Sequence, residues 1–300
     1  MRIAKILFLA VMASIAMSAV APAVSAPLSY ADILARPRPK ATQHIEFGPA
    51  PDQFGELWLP KHQGPTPVVV FIHGGCWNAS LPGLELMDYA AEDLRQRGFA
   101  VWNIEYRRLG DGGGYPATFK DIAQGLDLLR KLAGPHQLDL KHVVIVGHSA
   151  GGQLALWAAS RQKLPKSSPL FSADPLRVSG VVTLAGIDDL VTYRRLGPDA
   201  CGGPATIDAL VSTGRPPNAN FYADTSPAEM LPSGVAQIVV SGDLDLIVPP
   251  IFGADYAEKA MKVGDRVDVV NIRNTGHFDL IDPLSDAWKR VEPLIDQLTH

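Results

Sequence analysis

A serine between glycines, a histidine far downstream and aspartates between the two are the residues of this chain best suited to chemistry. Residues 143–152 read Val-Val-Ile-Val-Gly-His-Ser-Ala-Gly-Gly. A β-branched run thus ends in Gly147-His148-Ser149-Ala150-Gly151, an instance of the G-x-S-x-G pattern. A serine on a sharp strand-to-helix turn projects its hydroxyl from the end of a sheet, and the flanking glycines leave room for that turn. Gln153 to Ala159 is compatible with a helix that starts at the serine and points its positive dipole end at the reacting centre. Ser149 is therefore a candidate nucleophile. The competing reading is an ordinary helix N-cap, a position that favours serine.

A serine nucleophile needs a base, and the base needs an orienting carboxylate; where the serine sits on a strand-to-helix turn of a parallel α/β sheet, the expected chain order is serine, acid, histidine. Asn274-Thr275-Gly276-His277-Phe278 follows a strand-like run ending at Ile272, which puts His277 in a loop at the carboxyl edge of the sheet as the candidate general base. Gly242-Asp243-Leu244-Asp245-Leu246-Ile247-Val248-Pro249 follows another strand and offers two carboxylates. Asp188 and Asp189, after the preceding strand, are a further alternative. Acyl transfer also requires N–H donors for the developing oxyanion. Ala150, directly after the serine, supplies one. The loop His73-Gly74-Gly75-Cys76-Trp77 supplies the Gly75 and Cys76 amides, with His73 read as a structural residue that holds the loop. Trp77, His148 and Phe278 are the candidate substrate contacts, against core packing for the two aromatics and tuning of the nucleophile turn for His148. No cofactor and no metal are expected, because the other histidines lack a ligand spacing and Gly112-Gly113-Gly114 lacks the following Lys-Ser/Thr of a phosphate loop.

The elements needed to position these residues are legible. Gln43–Phe47 and Glu56–Leu59 read as an opening hairpin across a turn-rich Gly48-Pro49-Ala50-Pro51-Asp52. Pro67–Ile72 is an apolar run suited to a strand buried on both faces. From there the pattern alternates: helix Leu84–Arg97, strand Phe99–Ile104, helix Phe119–Leu132, strand His142–Val146, helix Ser149–Arg161. Strands follow at Val178–Leu184, Ala236–Ser241 and Arg266–Ile272, with a closing helix Leu284–Leu298 in which Pro293 is a potential interruption. Such alternation is the signature of an α/β fold with a mostly parallel sheet. Between about 187 and 231 Gly-Pro and Gly-Gly breakers disrupt it, while Tyr193, Phe221 and Tyr222 supply apolar anchors; the segment reads as a cap or lid over the site.

With 47% hydrophobic and 19% charged residues and a formal charge of −4, the 300-residue chain offers no basic field for nucleic acid. Met1-Arg2-Ile3-Ala4-Lys5 and the apolar stretch Ile6–Val20 read as a signal peptide cleaved after Ala23, or as late as Ala26, which implies export to a periplasm or beyond. The stretch is shorter than a comfortable membrane span, so no stable span is expected after cleavage. Loss of Arg2 and Lys5 takes the formal charge to −6. Cys76 and Cys201 are read as two separate small side chains, with pairing the alternative in an oxidising compartment.

Taken together, His73-Gly74-Gly75-Cys76-Trp77, Glu105-Tyr106-Arg107-Arg108-Leu109, Tyr115-Pro116-Ala117 with Asp121, Gly147 to Gly152, and Gly276-His277-Phe278 resemble the α/β-hydrolase superfamily over about residues 45–300. The likeness is to its esterase and lipase branch, which includes the hormone-sensitive-lipase-like esterases and the kynurenine formamidases. Cys76 and Trp77 stand where the former usually continue a glycine run. The resemblance selects Asp245 over Asp243 by register, and implies that Arg107 and Asp121 pair to brace the oxyanion loop. It also implies a small-molecule partner: a carboxylic ester with a short acyl chain, or else an aryl formamide of the N-formylkynurenine type. A non-catalytic binding protein on the same fold is the reading of a different class.

Overall fold

The computed structural model describes residues 26–61 and 64–299. The expected leader over residues 1–23 lies outside the described residues. A short α1 (Tyr30–Leu34), its first turn closed by a capping box between Ser29 and Asp32, precedes a hairpin of β1 (Gln43–Glu46) and β2 (Phe54–Trp58). The remaining elements alternate: β3 (Thr66–Ile72), α2 (Asp88–Gln96), β4 (Ala100–Ile104), α3 (Ala117–Asp127), α4 (Leu129–His136), β5 (Leu138–His148), α5 (Ala150–Ser160) and β6 (Gly180–Leu184). After an insertion holding α6 (Leu190–Leu196) and α7 (Gly203–Ser212) come β7 (Ala236–Gly242), α8 (Pro250–Lys262), β8 (Val267–Ile272) and α9 (Trp288–Gln297).

The eight strands among the described residues form one sheet in the order β1-β2-β4-β3-β5-β6-β7-β8. β1 and β2 are antiparallel, and every pairing from β4 through β8 is parallel. The register sets the site. Ile72 pairs with Gly147, His148 with Leu184, Leu184 with Val240, and Gly242 with Ile272. The carboxyl ends of β3, β5, β7 and β8 therefore lie along one edge, where parallel α/β sheets place their ligands. The loops bearing Gly75, Ser149, Asp245 and His277 all start there.

The central strands are the apolar runs of the sequence, and Val68, Val69, Val70, Phe71, Val143, Val144, Ile145 and Val146 are all buried. α5 is buried on every face, as expected of a helix apolar all round that crosses the middle of the sheet.

Local differences from the sequence expectations have local causes. The stretch Leu84–Arg97 opens as a 3₁₀ turn over Leu84–Met87 before α2 begins. The expected helix Phe119–Leu132 is two helices that meet at Leu128. Pro293 lies inside α9 without ending it. Within the insertion, the breakers Gly197-Pro198 and Gly202 delimit helices instead of preventing them: α6 ends before the first, and Gly202 takes a left-handed φ of 78° just ahead of α7, a conformation open to glycine. Among the described residues no helix is long and apolar enough to cross a membrane.

Candidate active site

Ser149 joins β5 to α5 with φ 56° and ψ −122°, a conformation that costs about 1–3 kcal/mol in a non-glycine residue and persists only where the surroundings impose it. They do so by close packing. A Cβ on Gly147 would lie 2.1 Å from the Gly151 carbonyl oxygen, and one on Gly151 would lie 2.1 Å from that of Ile72. Only glycine at both positions lets the start of α5 press against β5 and against the end of β3. The Ser149 side chain makes no capping bond to α5, which removes the N-cap reading and leaves the hydroxyl without a partner among the described residues.

His277 follows β8, and its Nδ1 lies 2.7 Å from Asp245 Oδ2. The other oxygen, Asp245 Oδ1, accepts the Ile247 and Val248 amides at 2.8 and 2.9 Å. Both carboxylate oxygens are thus engaged and the group has one fixed orientation. Asp243 instead accepts the Thr275 amide. Asp189 caps α6 and pairs with Lys259, while Asp188 is buried against Thr183. The geometry joins Asp245 to His277 and leaves the three alternatives elsewhere.

His148 is buried at the centre of this arrangement. Its ring centroid is 4.5 Å from that of His277, and its Nε2 donates to the His277 carbonyl at 3.1 Å. Burial, reinforced by the nearby His277, holds its pKa well below the usual imidazole range. The neutral ring has one N–H, and the carbonyl opposite Nε2 assigns it there. His148 thus fastens the histidine loop to the nucleophile turn, and its expected substrate contact gives way to this structural one. Phe278 is half-buried, 5.7 Å from the His148 ring and edge-on to Tyr30 at 5.9 Å.

Gly75, Cys76 and Trp77 all have positive φ, 95°, 51° and 53°. The Gly75 and Cys76 amides donate to no described residue, and the Ala150 amide opens α5, where first-turn donors lack helical partners. A Cβ on Gly74 would come within 2.9 Å of Ser149 Cβ, so this loop runs directly against the serine. His73 holds it as expected: Nδ1 is 2.8 Å from the Gly74 carbonyl and Nε2 2.8 Å from Glu105 Oε1, and the ring stacks on Tyr106. Burial alone would raise the Glu105 pKa, but His73 and Arg108 beside it bring it down to about 2. Asp121 receives a bidentate pair from Arg107 at 2.8 Å per bond and a further bond from Gln53. It clamps the Glu105–Leu109 segment that supports the loop.

Two further sequence expectations are corrected by the structure. Trp77 does not line an open pocket: its indole is wholly buried and donates to Gln153 Oε1 at 3.1 Å, because the left-handed turn at Cys76-Trp77 sends the ring inward. Cys76 and Cys201 are not separate; they form a disulfide, with Cα atoms 5.2 Å apart. Their separation of 125 residues hid the pairing, which the insertion creates by folding back over the loop. Gln153 is the residue that sequence reasoning missed. Fully buried, it also donates to the Thr225 carbonyl at 2.7 Å and so ties α5 to the insertion. A lone amide in the otherwise apolar run Leu154-Ala155-Leu156-Trp157 was the available signal.

Asp188 gives a pH prediction. Burial raises its pKa from 3.8 to about 7, and its Oδ1 has no hydrogen-bond partner among the described residues. A carboxyl whose folded pKa exceeds its unfolded value stabilises the fold while protonated, and that contribution disappears as pH rises from about 4 to about 7. Asp188→Asn, which keeps the acceptor for Thr183, is expected to flatten the fall of thermal stability between pH 5 and 8, with a gain of about 1–3 kcal/mol at the upper end. Thermal melts of both proteins across that range check it, and parallel curves would contradict it.

A BD-FAE family model matches residues 56–259, more than half of the chain. The chain belongs to the BD-FAE family. Its curated relatives include Esterase LipC of Mycobacterium tuberculosis (strain ATCC 25618 / H37Rv), 23% identical over 80% of this chain and 60% of the relative. Another is the probable isoprenylcysteine alpha-carbonyl methylesterase ICME of Oryza sativa subsp. japonica, 24% identical over 84% and 62%. The chain spans about three fifths of the length of these two. Among solved structures, Esterase B from Lactobacillus Rhamnosis superposes with a TM-score of 0.74 at 19% identity, covering 90% of this chain and 92% of that one. A truncated carbohydrate esterase from gut microbiota gives 0.69 at 18%, covering 85% and 95%. This member of the BD-FAE family has the α/β-hydrolase fold.

Proposed function

We propose that this BD-FAE protein is an exported serine hydrolase that cleaves carboxylic esters with short acyl chains. The observation that carries the reading is the bond from His277 Nδ1 to Asp245 Oδ2 at 2.7 Å beside a serine held at positive φ on the strand-to-helix turn. His277 takes the Ser149 proton at Nε2 while Ser149 Oγ attacks the ester carbonyl carbon. The Ala150, Gly75 and Cys76 amides receive the oxyanion. Collapse of the tetrahedral intermediate expels the alcohol, which takes the proton from His277. Water then attacks the acyl-enzyme, its proton passes to His277, and the carboxylic acid leaves as His277 hands that proton to Ser149 Oγ. Asp245 keeps the imidazole oriented and stabilises its charged form throughout. Because the serine hydroxyl has no partner among the described residues, it must turn towards His277 as substrate binds; catalytic bonds are often long before then.

Ester chemistry is supported by the names of the curated relatives, all esterases or carboxylic ester hydrolases. The short acyl preference is carried over from the resemblance to the esterase branch, for which a short acyl ester is the leading substrate class. Export is supported by the leader-like first residues and by the Cys76–Cys201 disulfide, a bond that persists in oxidising compartments.

The test is turnover of a p-nitrophenyl ester series from acetate to long chains by the purified protein, with N-formylkynurenine and an acetylated sugar in parallel and Ser149→Ala as the blank. The expected result is Ser149-dependent turnover highest for the short esters. Dominant formamide cleavage, or long-chain preference, would overturn the substrate assignment.

A further inference from the structure

The loop that carries the Gly75 and Cys76 amides has three successive residues at positive φ, two of them not glycine. Such a backbone needs external constraint to persist. Three attachments supply it, and they come from different parts of the molecule. His73 anchors the start of the loop through Glu105. Trp77 anchors its end to Gln153 on α5, and the Trp77 carbonyl accepts the Leu109 amide at 2.6 Å. The residue between them, Cys76, is bonded covalently to Cys201 in the insertion. Cys201 lies in a 3₁₀ turn, Asp199–Cys201, directly before α7. α7 in turn is docked on the body of the protein, with the Leu210 carbonyl accepting the Tyr115 amide at 2.7 Å.

We propose that Cys201 is a positioning residue for acyl transfer: through its disulfide to Cys76 it holds the candidate oxyanion amides aimed at the serine, so that cleavage of this one bond lowers the rate of the chemical step. The inference rests on the serine-hydrolase reading above. A hydrogen-bond donor aimed at developing charge acts on the transition state more than on bound substrate. Its misplacement therefore lowers kcat and leaves KM nearly unchanged. Complete loss of one such donor costs about 10²–10³-fold, and a donor that is mobile instead of absent is expected to cost about tenfold or more.

The experiment compares wild-type protein with Cys201→Ala and with the double variant Cys76→Ala/Cys201→Ala. It measures kcat, KM for a short ester, the rate of inactivation by an organophosphonate that mimics the tetrahedral state, and near-UV circular dichroism. The expected result is a kcat at least about tenfold lower in both variants, a KM within about threefold of wild type, correspondingly slower phosphonate inactivation, and a near-native spectrum. Asp208→Asn breaks the exposed Arg194–Asp208 pair inside the insertion and is expected to keep the wild-type kcat. If the cysteine variants do not fold, the wild-type protein is reduced by a dithiol. The S–S bond then yields two thiols, the dithiol closes to its own disulfide, and thiol titration counts the product. Activity should fall on reduction and return on reoxidation.

An unchanged kcat in folded variants or in verified reduced protein overturns the inference, with the serine reading intact. A loss of kcat that tracks loss of the near-UV signal also overturns it, because the bond would then only hold the fold. Wild-type protein without Ser149-dependent turnover overturns the serine reading itself, and this inference with it.

Discussion

Ser149→Ala is expected to lower kcat/KM for a short ester by roughly 10⁴-fold or more, leaving only what binding and the oxyanion donors supply without a nucleophile. Stability is expected to stay level or rise slightly. The serine hydroxyl has no hydrogen-bond partner among the described residues, so its removal orphans no buried group, and alanine occupies the same backbone turn. Activity and stability are thereby separated. A misfolded variant loses both, whereas loss of a nucleophile affects turnover alone. Parallel rate measurements and thermal melts on the variant decide it, and residual turnover within about tenfold of wild type would remove Ser149 from the reaction.

The second large effect is expected at the acid. Asp245 accepts from His277 through Oδ2 and from two backbone amides through Oδ1. In Asp245→Asn the amide oxygen keeps the backbone pair, which directs the new NH₂ at His277 Nδ1. That nitrogen must then act as an acceptor, and the imidazole proton moves to Nε2. A ring protonated there cannot take the Ser149 proton. The expected loss in kcat is about 10³–10⁴-fold with little change of shape. Asp243→Asn, whose Oδ1 makes only a 3.3 Å bond to the Thr275 amide, is expected to retain activity within a few-fold. Equal effects from the two substitutions would mean that the loop, and not the carboxylate at residue 245, is what matters.

Local order was readable where local chemistry dictates it. The G-x-S-x-G turn could be placed between strand and helix because its glycines have no substitute: α5 packs on β5 at Gly147 and on the end of β3 at Gly151 too closely for a Cβ at either. The strands were visible because a parallel sheet covered on both faces demands continuous apolar runs, such as Val68 to Ile72. Asp245 was separated from Asp243 by family resemblance alone. The reason lies in the loop, where the Ile247 and Val248 amides turn one carboxylate towards His277. Nothing in the order of residues reveals that turn.

What escaped the sequence depends on distant parts of the chain. The fate of Trp77 depends on Gln153, and that of Cys76 on Cys201. In both cases a side chain that read as a substrate contact or as solitary is claimed by a partner from another element. His148 similarly changes meaning once the His277 carbonyl is known to sit 3.1 Å from its Nε2. α8 (Pro250–Lys262) went unread because the run from Val248 to Ala254 shows no clear periodicity, although its Pro at the first helical position is a standard start signal.

Covalent trapping of the acyl-transfer site is the most direct test that these residues act together. The protein is incubated with an organophosphonate ester and its tryptic peptides are examined by mass spectrometry, with Ser149→Ala and Asp245→Asn treated alongside. One phosphonyl group on the hydroxyl of Ser149, formed far more slowly in Asp245→Asn and absent in Ser149→Ala, is the expected result. An adduct on another residue, or undiminished ester turnover by protein whose Ser149 is fully phosphonylated, would contradict the assignment of Ser149 as the nucleophile.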